Sequence, residues 1–427
     1  MPQKINPEAQ AANNILKKQA PVILELLSDS GKKAYYPKLG ILAQTAQAKG
    51  TKYNATIGEA YEDTKEAMVL DCLSKQASVP KNTFLYAPSY GIKELREQWL
   101  SEIKRKNPSL KSGYTMPIIA SGLTHALSIA GKLFVDSKDD IIIPDLFWSN
   151  YLLTFEKDHF SEFKAFEGNA FNVDGLDKVL AKKGSKKVLL LNFPNNPSGY
   201  TPTIAEAKQI AGVIEKNARK GKKIVVILDD AYFGLVYEKG VFEQSLFSFL
   251  SNTHENVIAV KIDGISKELF AWGLRVAFIT FGNKLISKDV ASVLEDKTAA
   301  LMRASVSNAP HISQYMALKA LQSDSFLKER AQKVAILKTR YELVKETLST
   351  NTKYKHYFEQ IPFNSGYFMC IRLKNNDAET IRKTLIKKYS TGLISVGNEV
   401  LRVAYSSLPT KDVPAIFENI YKACRES

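Results

Sequence analysis

Val188-Leu189-Leu190-Leu191, a helical stretch from Thr203 to Lys220, and then Ile224-Val225-Val226-Ile227-Leu228 together decide the fold. Both apolar runs are continuous rather than alternating, which suits strands covered on both faces. Two such strands separated by a helix read as members of a parallel sheet. Outward from this unit, Pro117-Ile118-Ile119-Ala120, Asp140-Ile141-Ile142-Ile143-Pro144, Val257-Ile258-Ala259-Val260 and Val276-Ala277-Phe278-Ile279 read as further buried strands. Ser121 to Val135 reads as another helix. The expected fold class is therefore α/β, a large domain with a mostly parallel sheet flanked by helices. From about Pro310 the chain reads as long helices over His311 to Thr350, then strands near Tyr367-Phe368-Met369-Cys370-Ile371 and Val400-Leu401-Arg402-Val403-Ala404. That is the pattern of a smaller α+β domain. The expected division is an N-terminal arm and part of the small domain over 1–68, a large domain over 69–309, and a small C-terminal domain over 310–427.

A chain of 427 residues, 45% hydrophobic, has the size and composition of a soluble two-domain enzyme. It has no apolar run long enough to span a membrane. The N-terminal Met1-Pro2-Gln3-Lys4-Ile5-Asn6-Pro7 lacks the apolar stretch of a secretory signal. Cys72, Cys370 and Cys424 are far apart and form no CxxC, so they read as free thiols in a reducing cytoplasm, not a disulfide frame or a metal site. The net charge of +15 is spread along the chain. Its local clusters, such as Lys182-Lys183 and Lys222-Lys223, lie just before apolar runs and are not interleaved with aromatics. They read as solvated turns, not as a nucleic-acid surface.

Ligands of open α/β sheets bind beyond the carboxyl ends of the strands. The residues that follow the strands are thus the informative polar ones. They are Asn192-Phe193-Pro194-Asn195-Asn196-Pro197-Ser198-Gly199, Asp229-Asp230-Ala231-Tyr232 and Lys261-Ile262-Asp263-Gly264-Ile265-Ser266-Lys267. An amide, an acid, a tyrosine and a lysine are expected to converge on one edge. Singly, each has an ordinary role: the Asn-Pro-Ser-Gly run as a turn, the aspartate as a cap, the lysine as surface.

In order and spacing, these segments resemble the aspartate-aminotransferase-like family of fold-type I pyridoxal-5′-phosphate (PLP) enzymes, the class I/II aminotransferases. Asn196-Pro197-Ser198-Gly199 is similar to the family's N-P-[ST]-G motif and Asp229-Asp230-Ala231-Tyr232 to its D-x-A-Y motif. Ser266-Lys267 followed by Gly273-Leu274-Arg275 resembles S-K-x(5)-G-x-R, the most specific of the three. Weaker matches run from Ile57-Gly58 to Arg402, covering nearly the whole chain.

The resemblance implies a PLP-dependent aminotransferase that moves an amino group between an amino acid and a 2-oxo acid. Lys267 would be the Schiff-base lysine and proton shuttle. Asp229 would pair with the pyridine nitrogen, and Tyr232 and Asn196 with the ring oxygen. Gly122, Leu123 and Thr124 open a helix that would meet the phosphate, with Ser266 and Arg275 opposite. Trp148 would stack on the ring. Arg402 would fork the substrate α-carboxylate, beside Gly58, Trp148 and Asn196. Tyr86 and Arg303 would reach a neighbouring subunit, to its phosphate and to the distal carboxylate of its substrate. Both imply a homodimer and a dicarboxylic partner such as aspartate, glutamate or 2-oxoglutarate. A PLP-dependent lyase, or an aminotransferase for aromatic or other neutral amino acids, are the alternatives. Three positions depart from the family pattern. Gly264 stands where a phosphate-binding serine is common, Leu123 where a glycine is usual, and Ala277 where a glycine follows the signature arginine.

Overall fold

The computed structural model describes residues 6–19, 40–75 and 78–427, with positions 21, 24, 27, 32 and 33 between them. Met1–Ile5, part of the segment read for a leader, lie outside the described residues. The N-terminal arm contains helix α1 (Pro7–Gln19) and helix α2 (Ile41–Gln47).

The apolar runs form a seven-stranded sheet: β1 (Ile118–Ala120), β2 (Ile141–Pro144), β3 (Ser161–Phe163), β4 (Lys186–Asn192), β5 (Lys223–Asp229), β6 (Val257–Gly264) and β7 (Ala277–Gly282). Their order is β1-β7-β6-β5-β4-β2-β3. The strands run parallel except β7, which is antiparallel to β1 and β6. Alternate residues serve opposite faces, as the pleat requires. Val188 and Leu190 join one core with Leu127 and Ile129 of helix α4 (Leu123–Phe134), which follows α3 (Lys93–Lys106) in the chain. Leu189 and Leu191 join the other with Ile210 and Ile214 of helix α5 (Ile204–Arg219). A continuous apolar strand is thus one that supplies two cores. Helix α5 starts where expected because Thr203 accepts from the Glu206 amide at 3.2 Å while the Glu206 carboxylate accepts from the Thr203 amide at 2.7 Å.

Strand β6 differs from expectation. Lys261-Ile262-Asp263-Gly264, read as a segment after the strand, continues it. Lys261 is fully buried, yet its ammonium pairs with Asp230 and lies 3.1 Å from Asp263. Asp263 also accepts from the Trp99 indole of α3 at 3.0 Å. A charge compensated inside the fold does not end a strand, which hydropathy alone does not reveal.

Helices α6 (Lys288–Ser305), α7 (His311–Leu321) and α8 (Phe326–Thr350) follow, so the long helical stretch is broken at residues 322–325. A second sheet is antiparallel throughout. Its strands β8 (Phe358–Gln360), β9 (Phe368–Leu373), β10 (Ile394–Val396) and β11 (Val400–Ala404) lie in the order β8-β9-β11-β10, and helix α9 (Val413–Glu426) closes the chain. The N-terminal part docks here: Tyr53 and Asn54 pair with Thr391 and Gly392, and Gln44 of α2 bonds Ser395 at 3.0 Å. Among the described residues no helix is long and apolar enough to cross a membrane.

Ile227, fully buried in the middle of β5, tests the two-sided core. Ile227→Ala should lower stability by ~2–5 kcal/mol, read as a lower urea midpoint, because the sheet cannot collapse into the space left.

Candidate active site

Strands β4, β5 and β6 end side by side, and their polar residues face one cavity of about 320 Å³. Leu123, Thr124, Trp148, Asn196, Asp229, Tyr232, Lys267 and Arg275 line it, with Gly58 and Arg402. Strand β11 brings Arg402 from the second sheet, so the site lies between the two sheets.

Asp229, the last residue of β5, is buried. One carboxylate oxygen accepts from the Tyr151 hydroxyl at 2.6 Å and the other from the Ala231 amide at 3.0 Å. Burial raises its pKa, against the pull of Tyr151 and Lys267. Lys267 follows the end of β6 in the short Ile265–Glu268 helix and points over the Tyr232 ring, 5.1 Å from its centroid. Burial lowers the Lys267 ammonium to about 8; Asp229 opposes this and Arg275 adds to it. Lys267 is therefore substantially neutral near pH 8, where a surface lysine stays charged. Burial also raises the Tyr232 phenol and lowers the Arg402 guanidinium.

A chain of hydrogen bonds joins the sheets across the cavity. Asn192 at the end of β4 donates to the Asp229 carbonyl at 2.7 Å and accepts from the Asn196 amide at 2.7 Å. The Asn196 side chain accepts from Arg402 Nη1 at 3.0 Å, and Arg402 Nη2 donates to the Thr56 carbonyl at 2.7 Å. The Arg402 guanidinium also lies 4.3 Å from the Phe368 ring centroid. Its Nε is buried without a partner.

The phosphate end has a matching shape. Gly122 caps α4 with φ of +88°, and a Cβ there would stand 2.3 Å from the Arg275 guanidinium. Only glycine leaves Arg275 beside the first amides of α4, an arrangement suited to an anion. The Ser266 hydroxyl is buried and has no partner. An arginine beside a helix N-terminus, with an orphaned hydroxyl next in sequence to Lys267, fits a phosphate, and Lys267 with Asp229 on the same cavity fits an aldehyde and a pyridine nitrogen. The residues present thus fit PLP. Gly264 also has a local reason: a Cβ there would meet the Val276 carbonyl at 2.7 Å and Ala277 Cα at 2.9 Å. The antiparallel neighbour β7 leaves no room for a serine.

Two expected residues do not reach this cavity within one chain. Tyr86 is 88% exposed and Arg303 sits exposed in the last turn of α6. The sequence reading missed Tyr151, Asn192, Thr56 and Phe368, and also Ile41, Thr45, Ile57 and Ala231 on the cavity wall. Tyr151 is 78 residues from Asp229, and its apolar surroundings look like core. Asn192 was the findable one, since it opens the Asn-rich run after β4.

The profile of the family described as Aminotransferase class I and II matches residues 52–420. The chain is 27% identical over 274 residues to aromatic-amino-acid aminotransferase 2 of Thermococcus litoralis, covering 63% of this chain and 64% of that one. It is 24% identical over 273 residues to the aspartate aminotransferase of Sulfurisphaera tokodaii, covering 62% and 61%. The aligned stretches span less than two thirds of these relatives' own length. The fold is similar to the crystal structure of an aminotransferase from Anaerococcus prevotii, with a TM-score of 0.81 at 23% identity over 93% of this chain and 99% of that one. Members of the matched family use PLP.

The depressed Lys267 carries a stability consequence. Its folded-state pKa lies below its unfolded value, so the unfolded chain binds more protons between the two. The penalty is full below about pH 8 and fades as pH rises toward the ordinary lysine value of 10.5. Cofactor-free Lys267→Met should therefore be more stable than the parent at pH 7 by roughly 1–3 kcal/mol, with the gap closing toward alkaline pH. Thermal denaturation across a pH series checks this.

Proposed function

We propose, from the premise that the chain belongs to the aminotransferase class I and II family, that it moves an amino group between an amino acid and a 2-oxo acid with PLP as cofactor. The observation that carries the reading is Lys267 facing Asp229 in one cavity at the strand ends, with the lysine lowered to about 8. When bound, the cofactor supplies an electron sink for the substrate Cα. The chain supplies the rest. The neutral amine of Lys267 takes and returns the Cα proton. Asp229, oriented by Tyr151, holds the proton of the ring nitrogen. Tyr232 and Asn196 serve the ring oxygen and Trp148 the ring face. The amides of Leu123 and Thr124 behind Gly122, with Ser266 and Arg275, hold the phosphate. Arg402 takes the α-carboxylate through a guanidinium already oriented by Asn196 and Thr56, and Gly58 leaves space beside it. Residues 69–309 would carry the cofactor, while 1–68 and 310–427 supply the facing wall.

A homodimer completes this reading. Phe84, Leu85 and Tyr86 are three consecutive side chains 71%, 69% and 88% exposed. A second copy covering them would bring Tyr86 and Arg303 toward its own cavity, and Arg303 would select a dicarboxylic partner such as glutamate or 2-oxoglutarate. The specific observation favouring a neutral or aromatic amino acid instead is the apolar wall of Ile41, Ile57 and Phe368.

Glutamate added to the PLP-loaded protein should change its visible absorbance, and 2-oxoglutarate should restore it. No change with any common amino acid would refute the reading. Arg402→Leu should raise KM ~100-fold for every amino acid, because a buried bidentate partner is lost. Arg303→Ala should raise KM for dicarboxylic substrates alone; equal KM values for all substrates would favour the neutral class.

A further inference from the structure

Helix α8 carries Arg330 in its first turns. Strands β5 and β6 are hydrogen-bonded to the point where the Asp230 amide meets the Ile262 carbonyl at 2.8 Å. The turn with Asp229 and Tyr232 and the turn with Lys267 both lie at or beyond this end of the ladder. Arg330 bonds both. Its Nε donates to the Glu268 carbonyl at 3.0 Å, one residue past Lys267, and its Nη2 donates to the Gly234 carbonyl at 3.3 Å, two past Tyr232.

Two other observations mark the position as built. Gly234 has φ of +76°, and a Cβ there would stand 2.7 Å from Arg330 Nη2, so glycine makes the space for the guanidinium. Glu268 is held from the other side: its buried carboxylate pairs with Lys106 of α3 at 2.6 Å. Lys267 thus immediately precedes a residue anchored by α3 and α8, while its own side chain lines the cavity. The charged groups around this anchor are Lys106, Glu268, Asp263 and Lys261, with Tyr237 and Tyr367.

We propose that Arg330 is a positioning residue whose single guanidinium, bonded to the Gly234 and Glu268 carbonyls, sets the spacing between the turn carrying Asp229 and Tyr232 and the turn carrying Lys267. It touches neither substrate nor cofactor. A planar fork can satisfy two carbonyls in two directions; lysine is a point donor on a flexible stem and cannot hold the same geometry. The catalytic part of the inference rests on the aminotransferase reading; the structural part does not.

The test compares Arg330→Met and Arg330→Lys with the parent, first without cofactor. Hydrogen exchange in peptides covering 230–236 and 264–271 should rise ~10-fold in Arg330→Met while the rest of the sheet changes little. With PLP bound, kcat should fall ~10- to 100-fold with KM within ~3-fold, as for misplaced catalytic groups. Arg330→Lys should fall between parent and Arg330→Met on both measures, and it carries the test if Arg330→Met fails to fold. Unchanged exchange in the two turns, or exchange raised equally throughout the protein, would overturn the proposal. So would a normal kcat in a folded variant. Should the parent convert no amino acid at all, the aminotransferase reading fails, and the exchange comparison in the two turns still decides the role of Arg330.

Discussion

Two ionisable groups of opposite sign, Asp229 at the end of β5 and Lys267 just past the end of β6, share the cavity at the strand ends. Each is pushed by burial toward its neutral form and pulled back by the other. Neither effect wins outright. The result is a lysine that loses its proton near pH 8, and an acid that keeps Tyr151 and the Ala231 amide as fixed partners. Water would remove this balance, because screening restores ordinary pKa values. The rest of the site holds the two groups in place.

The parallel sheet does the first part of that work. Strands β4, β5 and β6 deliver Asn192, Asp229 and the Lys267 turn to one edge because their alternating side chains are held in two cores. The second sheet does the rest. Arg402 on β11 reaches across to Asn196 and Thr56, so the wall facing Lys267 is tied to the strand ends by hydrogen bonds as well as by packing. A buried arginine with an unpartnered Nε is costly unless an anion completes it.

Behind the cavity lies a second set of charges: Lys261 between Asp230 and Asp263, and Lys106 on Glu268. Asp230 and Glu268 are the sequence neighbours of Asp229 and Lys267, and both are held from the rear. The backbone beside Asp229 and Lys267 is therefore fixed by groups that do not line the cavity. Breaking one partner of such a buried pair leaves an uncompensated charge, so these positions tolerate substitution poorly.

Continuous apolar runs such as Val188–Leu191 and Ile224–Leu228 determined the α/β class by themselves, because a strand buried on both faces has no polar side to show. The order of Asn196, Asp229, Lys267, Arg275 and Arg402 likewise pointed to one family and one cavity, since each lies on or next to a strand whose place in the sheet is legible. Tertiary structure alone decided the remainder. Tyr151 partners Asp229 only because helix and strand meet there, and its apolar flanks hide this. Lys261 and Asp263 lie within β6 because Asp230, just past the end of the neighbouring β5, neutralises the lysine. Gly264 is glycine because β7 crowds it, and Gly234 because Arg330 occupies the space of a side chain. Local pattern records which faces are apolar; it does not record which distant charge, hydroxyl or backbone atom arrives at a given point, and those arrivals set the pKa values and the spacing on which the site depends.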